Sequence, residues 1–240
     1  MKVVALLTTN LKRPVLPQTL LRVVAGKPIL AHTLDRIARI DKLDSVAVVA
    51  TDLPGDDIIA QFCKSRSIAC LRGNAEDGLG RILAALRALN ATAGVMIPAN
   101  AALVDPAIVD HVANLIRMTD GMIDWIGTPL TQSYPKGMEV EAFTTAALED
   151  SNHRCFDMVE RREGTAHLCA NSRLYRLLSV TASVEHHRPE LDLSATQETM
   201  PLVDTVLQHF AGHENFGLTD MIAFLDAQAK AGVKGAARVE

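Results

Sequence analysis

Apolar residues along this chain fall into short unbroken runs and helical stripes, and the two patterns take turns. Val3 to Leu7 is such a run, the pattern of a strand buried on both faces. A polar, Pro-broken loop follows from Thr8 to Thr19, and Gly26-Lys27-Pro28 opens an amphipathic helix with Pro28 as its first residue. Ile29, Leu30, Leu34, Ile37 and Ala38 make one face of that helix, and Asp35, Arg36 and Arg39 the other. Ser45 to Ala50 is a second buried strand, ending in the turn cluster Thr51-Asp52-Leu53-Pro54-Gly55. Asp56-Asp57 then begins a helix with acid in its first turn, where the macrodipole favours it, and Ile58, Ile59, Phe62 and Cys63 supply its core face. Ile68 to Leu71 and Gly94 to Pro98 are the third and fourth strands, with the stripe Leu79, Ile82, Leu83 and Leu86 between them. Pro106, with Asp105 as N-cap, starts a helix lined by Ile108, Val109, Val112, Leu115 and Ile116.

Strand and helix in alternation, four times over, predict an α/β fold: a doubly wound, mainly parallel twisted sheet between two helical layers. After Gly121 the rhythm changes, and a small antiparallel excursion is expected near residues 122–143, from strands Met122–Gly127 and Met138–Phe143 around a turn at Tyr134-Pro135-Lys136-Gly137. Ala146 to Asn152 reads as helix, residues 157–183 are ambiguous with Leu177–Ala182 the best strand candidate, and Thr199–Phe210 and Leu218–Lys230 read as late helices. Residues 1–230 are expected to be one domain and 231–240 a flexible tail.

Composition narrows the function class. A net charge of -4 supplies no basic field for nucleic acid, and 4% aromatic residues leave little for stacking bases. No stretch reaches the roughly 20 apolar residues of a membrane span, so no membrane or nucleic-acid partner and a cytoplasmic location are expected. The four cysteines, Cys63, Cys70, Cys155 and Cys169, have no C-x-x-C spacing and read as free thiols rather than a zinc site or disulfide frame.

Candidate chemistry sits in the loops after the strands, because ligands of open α/β sheets lie beyond the strands' carboxyl ends. Thr8 to Arg13, with Lys12 and Arg13 as its cations, reads as the floor of a pocket for an anion, a nucleotide first of all. With no glycine before Gly26 it is neither a dinucleotide fingerprint nor a P-loop. Leu7, Thr8, Thr9, Asn10, Arg72, Asn74, Arg81 and Ala99 are the candidate nucleotide contacts. For Arg81 the alternative is the exposed face of an amphipathic helix, for Asn74 a plain turn, and for Asn100 an Asx turn ahead of Pro106. Tyr134, Glu139 and Glu141 are candidate sugar contacts, the two glutamates sharing a face if 138–143 is a strand. His209 and His213, four apart, can share a metal or simply sit at a helix end, and the second reading is preferred.

Several of these pieces, in this order, resemble the spore-coat polysaccharide type of cytidylyltransferases, relatives of the CMP-KDO and CMP-acylneuraminate synthetases. They are Leu16-Pro17, Gly26-Lys27-Pro28, Ala50-Thr51, Asp56-Asp57, Arg72-Gly73-Asn74, Glu76-Asp77 with Leu79-Gly80-Arg81, Leu103-Val104-Asp105-Pro106, and Tyr134-Pro135-x-Gly137 with Glu139-Val140-Glu141. The resemblance spans roughly residues 3–200 and implies a nucleotide-diphospho-sugar transferase-like fold and a homodimer. It also implies coupling of CTP to a sugar or sugar acid, for surface glycan, with release of pyrophosphate. It further implies Mg²⁺ near Asn100 and Glu198 and puts Asn100 at the chemical centre, where Lys12 and Arg13, read from the loop itself, are the candidate catalytic cations that partly compensate for those the family carries.

The departures from that family lie at the centre. Where the family's first loop carries an arginine and then Arg-Leu-Pro-Gly-Lys, this chain has Asn10, Val15, Leu16, Pro17, Gln18 and Thr19. The family's metal-binding aspartate is matched by Asn100, and its Arg-Glu-His piece by Arg162-Glu163-Gly164. Neutral side chains replace neither cations on a triphosphate nor a carboxylate on a hard metal. What the resemblance and its departures together lead one to expect is a cytidylyltransferase-like protein with a degenerate signature, its turnover weak or lost. The alternative is a non-catalytic nucleotide- or sugar-binding pseudoenzyme. A sugar-nucleotide-dependent glycosyltransferase ranks below both, because an Asp-x-Asp metal motif is missing from the sequence.

Overall fold

The computed structural model describes residues 1–9, 11, 16–213 and 215–236, the last six of them as backbone. The first strand, β1 (Val3–Thr8), is buried at every position. It is followed by a one-turn helix, α1 (Pro17–Leu20), and a hairpin of β2 (Val23–Val24) and β3 (Lys27–Pro28). This hairpin is absent from the hydrophobic pattern. Ala25 and Gly26 form its two-residue turn with φ of 47° and 80°, the left-handed pair that a type I′ turn requires. Pro28 is accordingly the N-cap of α2 (Ile29–Ile37) rather than its first residue.

The alternation then runs as expected: β4 (Ser45–Thr51), a 3-10 turn over Pro54–Asp56, α3 (Asp57–Ser65), β5 (Ala69–Gly73), α4 (Gly78–Ala88), β6 (Ala93–Pro98) and α5 (Pro106–Thr119). Asp105 caps α5 by accepting from the Ala107 N–H at 2.8 Å, with Pro106 in the first turn. Beyond it lie β7 (Trp125–Gly127), β8 (Glu141–Thr144), α6 (Thr145–Arg154), α7 (Met158–Arg162), α8 (Ala166–Ala170), β9 (Leu177–Ser179), α9 (Met200–His209) and α10 (Leu218–Ala236). The last helix runs into the segment expected as a tail. Among the described residues, no helix is long and apolar enough to cross a membrane.

The main sheet has seven strands in the order β5-β4-β1-β6-β8-β7-β9. β5, β4, β1 and β6 are parallel. β8 runs antiparallel to both β6 and β7, and β9 returns parallel to β7. The antiparallel excursion thus extends the main sheet. Its second strand is shorter than expected because Thr128 intervenes: its Oγ1 donates to the Met138 carbonyl and accepts from the Val140 N–H, in place of ladder bonds.

Strand alternation divides the core between the sheet's two faces. Val3, Ala5 and Leu7 join Val48, Val95 and Ile97 under α2, α5 and α9. Val4 and Leu6 join Val49, Met96, Trp125 and Phe143 under α4 and α6. The α2 stripe holds except that Ala38 is exposed and Arg36 is buried. Arg36 Nε donates to the Val104 carbonyl at 2.7 Å and a terminal nitrogen to the Phe216 carbonyl at 2.8 Å, which satisfies its charge inside.

Candidate functional site

The parallel strands end in a row. Thr9 donates its N–H to the Val49 carbonyl, and Ala99 donates to the Thr8 carbonyl. Thr51 is paired with Gly73 across β4 and β5. Leu7, Thr8, Thr9 and Ala99 are therefore brought together, all buried. Strand order reverses between β1 and β6, the switch point at which an open α/β sheet forms a crevice. Thr9 and Asn100 flank it. Asn10, Lys12 and Arg13 lie outside the described residues.

Asp56 is the hub that the sequence reading missed. It stands at the helix start as the sequence pattern expects, and it is also 5% exposed, with its Oδ2 accepting from the Thr51 N–H at 2.7 Å, Thr51 Oγ1 at 2.7 Å and Thr9 Oγ1 at 3.2 Å. One carboxylate oxygen thus ties the ends of β1 and β4. The signal available in sequence was its place in a turn directly after a buried strand.

Arg81 is also buried and not on an exposed helix face. Its guanidinium donates to the Asn74 and Ala75 carbonyls and reaches the Thr9 carbonyl at 3.5 Å. Burial lowers its affinity for the proton, and Asp56, Asp77 and Asp52 oppose that effect. Arg72 turns the other way. It donates to the Thr51 and Leu53 carbonyls and pairs with Asp57 at 2.7 Å, bracing the turn after β4. Asn74 makes a turn, its Oδ1 accepting from the Glu76 N–H at 2.9 Å. The Gly78-Leu79-Gly80 run begins α4, with Asp77 as N-cap. A Cβ at Gly78 would lie 2.3 Å from the Arg162 carbonyl oxygen, so glycine there serves close packing.

Asn100 is 7% exposed. Its Nδ2 donates to the Ala195 carbonyl at 3.2 Å, and Ala195 donates back to the Asn100 carbonyl at 2.9 Å. This is a lock on the loop before α9 rather than an Asx turn. Glu198 is on that loop, with an exposed side chain. Magnesium rests on one or more carboxylates and wants near-octahedral oxygen ligands. A neutral amide already donating to a carbonyl and an exposed glutamate do not make such a site.

Tyr134 and Glu139 border one small cavity with Thr128 and Met138. Glu139 accepts from the Gly137 N–H at 2.7 Å. Glu141 is 3% exposed and is held by Trp125 Nε1 at 3.1 Å and by the Thr165 hydroxyl, so it is turned into the α4 side of the core. The strand over 138–143 on which a shared face for the two glutamates depends is not formed in full, since β8 begins only at Glu141. His209 stacks on Phe224 at 3.9 Å, a helix-end packing contact.

Comparison with known proteins agrees with this geometry. A family model described as cytidylyltransferase matches residues 16–134. An uncharacterised protein of Methanocaldococcus jannaschii is 23% identical over 177 residues, 74% of this chain and 71% of its own length. The structure of a cytidylyltransferase from Leptospira borgpetersenii superposes with a TM-score of 0.88 at 22% identity, over 96% of each chain. A CMP:2-keto-3-deoxy-manno-octonic acid synthetase complexed with CTP gives 0.62 at 15% identity, over 87% of this chain and 99% of its own. The 4-diphosphocytidyl-2C-methyl-D-erythritol synthase of Anaerococcus prevotii gives 0.57 at 14% identity, over 86% and 99%. Over residues 16–134, then, the chain carries the sequence pattern of the cytidylyltransferase family, and its described residues adopt the nucleotidyltransferase-like fold of these structures.

Proposed function

We propose that this chain is a cytidylyltransferase that binds CTP over the carboxyl ends of β1, β4 and β6 and passes its cytidylyl group slowly, if at all, to a sugar or sugar acid. The reaction is an in-line attack of a sugar oxygen on the α-phosphorus; the bond to the β-phosphate oxygen breaks and pyrophosphate leaves. Such transfer depends on positioning and on cations over the phosphates. Lys12 and Arg13 are the proposed cations, since Arg72 and Arg81 already donate to protein carbonyls. Glu139 beside Tyr134 favours a neutral or amino-bearing acceptor. The single observation that carries the weak-turnover reading is Asn100, whose amide holds Ala195 where a metal-binding carboxylate would be needed.

Calorimetry with CTP, with and without Mg²⁺, followed by a pyrophosphate-release assay over a sugar panel, tests this. Saturable CTP binding with slow release supports it; fast, magnesium-dependent release with any sugar overturns the weak-turnover part, and no CTP binding overturns the whole. The same Asn100 lock favours a second reading, a binding protein without turnover. CTP binding with no pyrophosphate from any sugar selects that one.

A further inference from the structure

A separate cluster lies under the far side of the sheet. Cys155 follows the last residue of α6, Glu160 is in the first turn of α7, and His167 opens α8. Their ligand atoms all lie within 4.8 Å of one another. Cys155 Sγ is 3.7 Å from Glu160 Oε2, and His167 Nδ1 is 2.6 Å from the same oxygen. The other ring nitrogen, Nε2, is buried without a hydrogen-bond partner. The nitrogen that faces Cys155 and Glu160 is Nδ1, so the orphaned Nε2 lies on the ring's other side and is not part of the donor set; the site rests on the convergence of the three donors.

We infer that Cys155, Glu160 and His167 form a binding site for a borderline-soft divalent cation, zinc the best match, with the fourth position left to water. The donor set decides the metal. Thiolate, carboxylate and neutral imidazole together carry two negative charges, and sulfur and nitrogen select zinc over magnesium or calcium. Tetrahedral zinc holds its sulfur and oxygen ligands ~3.6 Å apart, close to the distance already present between Cys155 and Glu160. The Asn171 amide nitrogen, 3.2 Å from the same Nδ1, gives way to the metal, and the His167–Glu160 pair, now at hydrogen-bond distance, opens to ~3.4 Å. Glu160, with a side chain 33% exposed, is free to rotate for that.

The backbone around the donors is fixed before any metal arrives. Asp157 caps α7 through the Val159 and Glu160 N–H groups at 2.7 and 3.1 Å. Arg161 grips the Cys155 carbonyl at 3.0 Å, Asn152 Oδ1 at 2.9 Å and Asp77 Oδ2 at 2.9 Å. The Cys155 N–H donates to the Ser151 carbonyl at 2.8 Å. Tyr175 sets its ring edge against His167 at 6.1 Å between centroids. Cysteine spacing alone gives no hint of the site, because only one of the four cysteines takes part and the chain supplies the other donors from two further helices.

Cobalt reports on such a site in the intact, chelator-treated chain. One equivalent of Co²⁺ is expected to give tetrahedral d–d bands and a thiolate-to-cobalt charge-transfer band, both quenched by Zn²⁺. Cys155→Ser abolishes the charge-transfer band, while Cys63→Ser and Cys169→Ser leave it. His167→Gln weakens metal affinity about tenfold or more. Circular dichroism without metal checks that each variant folds. If Cys155→Ser does not fold, Glu160→Gln serves instead: Zn²⁺ raises the unfolding midpoint of the parent and not of this variant. No charge-transfer band in the folded parent, a band surviving Cys155→Ser, or equal zinc stabilisation of parent and Glu160→Gln overturns the site.

Discussion

The side-chain amide of Asn100 donates to the carbonyl of Ala195 at 3.2 Å, across 95 positions of sequence. A carboxylate cannot make that bond, since an ionised oxygen facing a carbonyl oxygen repels it. Asn100→Asp is therefore expected to do two opposed things. It removes one of the two bonds that hold the loop before α9, the Ala195 N–H bond to the Asn100 carbonyl remaining, and leaves the Ala195 carbonyl without its side-chain partner, at a cost of ~1–3 kcal/mol in stability. It also supplies the carboxylate that a hard cation needs. The expected result is a lower urea midpoint together with a new magnesium dependence of CTP binding. A variant as stable as the parent would mean that the lock contributes nothing.

Asp56 joins the two strand ends on which the crevice stands. Its Oδ2 accepts three hydrogen bonds from Thr9 and Thr51. Asp56→Ala leaves those donors buried and unpartnered, and a loss of ~2–4 kcal/mol in unfolding free energy is expected. Asp56→Asn keeps an acceptor and is expected to lose less. CTP affinity should fall in step with this order, measured by calorimetry at a temperature where both variants are folded. Equal stability of all three proteins would remove Asp56 from its place as hub.

Two glycines give a paired test of packing. A Cβ at Gly78 would meet the Arg162 carbonyl oxygen at 2.3 Å and Leu11 Cδ2 at 2.7 Å. Gly78→Ala should therefore cost ~1–3 kcal/mol through overpacking. At Gly55 the nearest atom is Pro17 Cγ at 4.0 Å. Gly55→Ala should be neutral or gain ~0.4–1 kcal/mol by restricting the unfolded chain. Denaturant unfolding of both variants decides it, and a neutral Gly78→Ala would contradict the contact with α7.

Much of this architecture is legible in the residues because β1, β4 and β6 are buried on both faces, which leaves unbroken apolar runs. The capping of α5 is equally plain, since Asp105-Pro106 states its own start. What escapes is decided by tertiary partners. Arg36 lies on the polar side of the α2 pattern yet is buried, its charge met by the Val104 and Phe216 carbonyls from distant loops; burial pushes its pKa down to about 10. The β2–β3 hairpin is too short to leave a period, and only Gly26 marks it. At the crevice, the types of Arg72 and Arg81 are visible in sequence but their directions are not. One braces the turn after β4 and the other reaches back to Thr9.

Asp124 joins the starts of β7 and β9, and this link should set part of the acid stability. Its carboxylate accepts from the Arg176 N–H at 2.8 Å, Nε at 2.9 Å and a terminal nitrogen at 2.8 Å. The guanidinium hydrogen bonds of Arg176 hold the Asp124 carboxyl below its usual range, outweighing burial, with the backbone bond and the charge of Arg176 adding to them. A carboxyl whose folded value lies below its unfolded value of about 3.9 stabilises fully above that pH. The contribution then disappears as the pH falls through the folded value. Unfolding free energy in urea is thus expected to be flat near neutrality and to fall below about pH 4. Asp124→Asn should be less stable at neutral pH and lose less on acidification, while Asp35, Asp44 and Asp150, also held low by their partners, keep some slope in both proteins. Parallel curves for parent and variant between neutral and acid pH would show that the Asp124–Arg176 pair makes no net contribution. Water screens the pair, because Arg176 is 58% exposed, so the expected difference between the two curves is small.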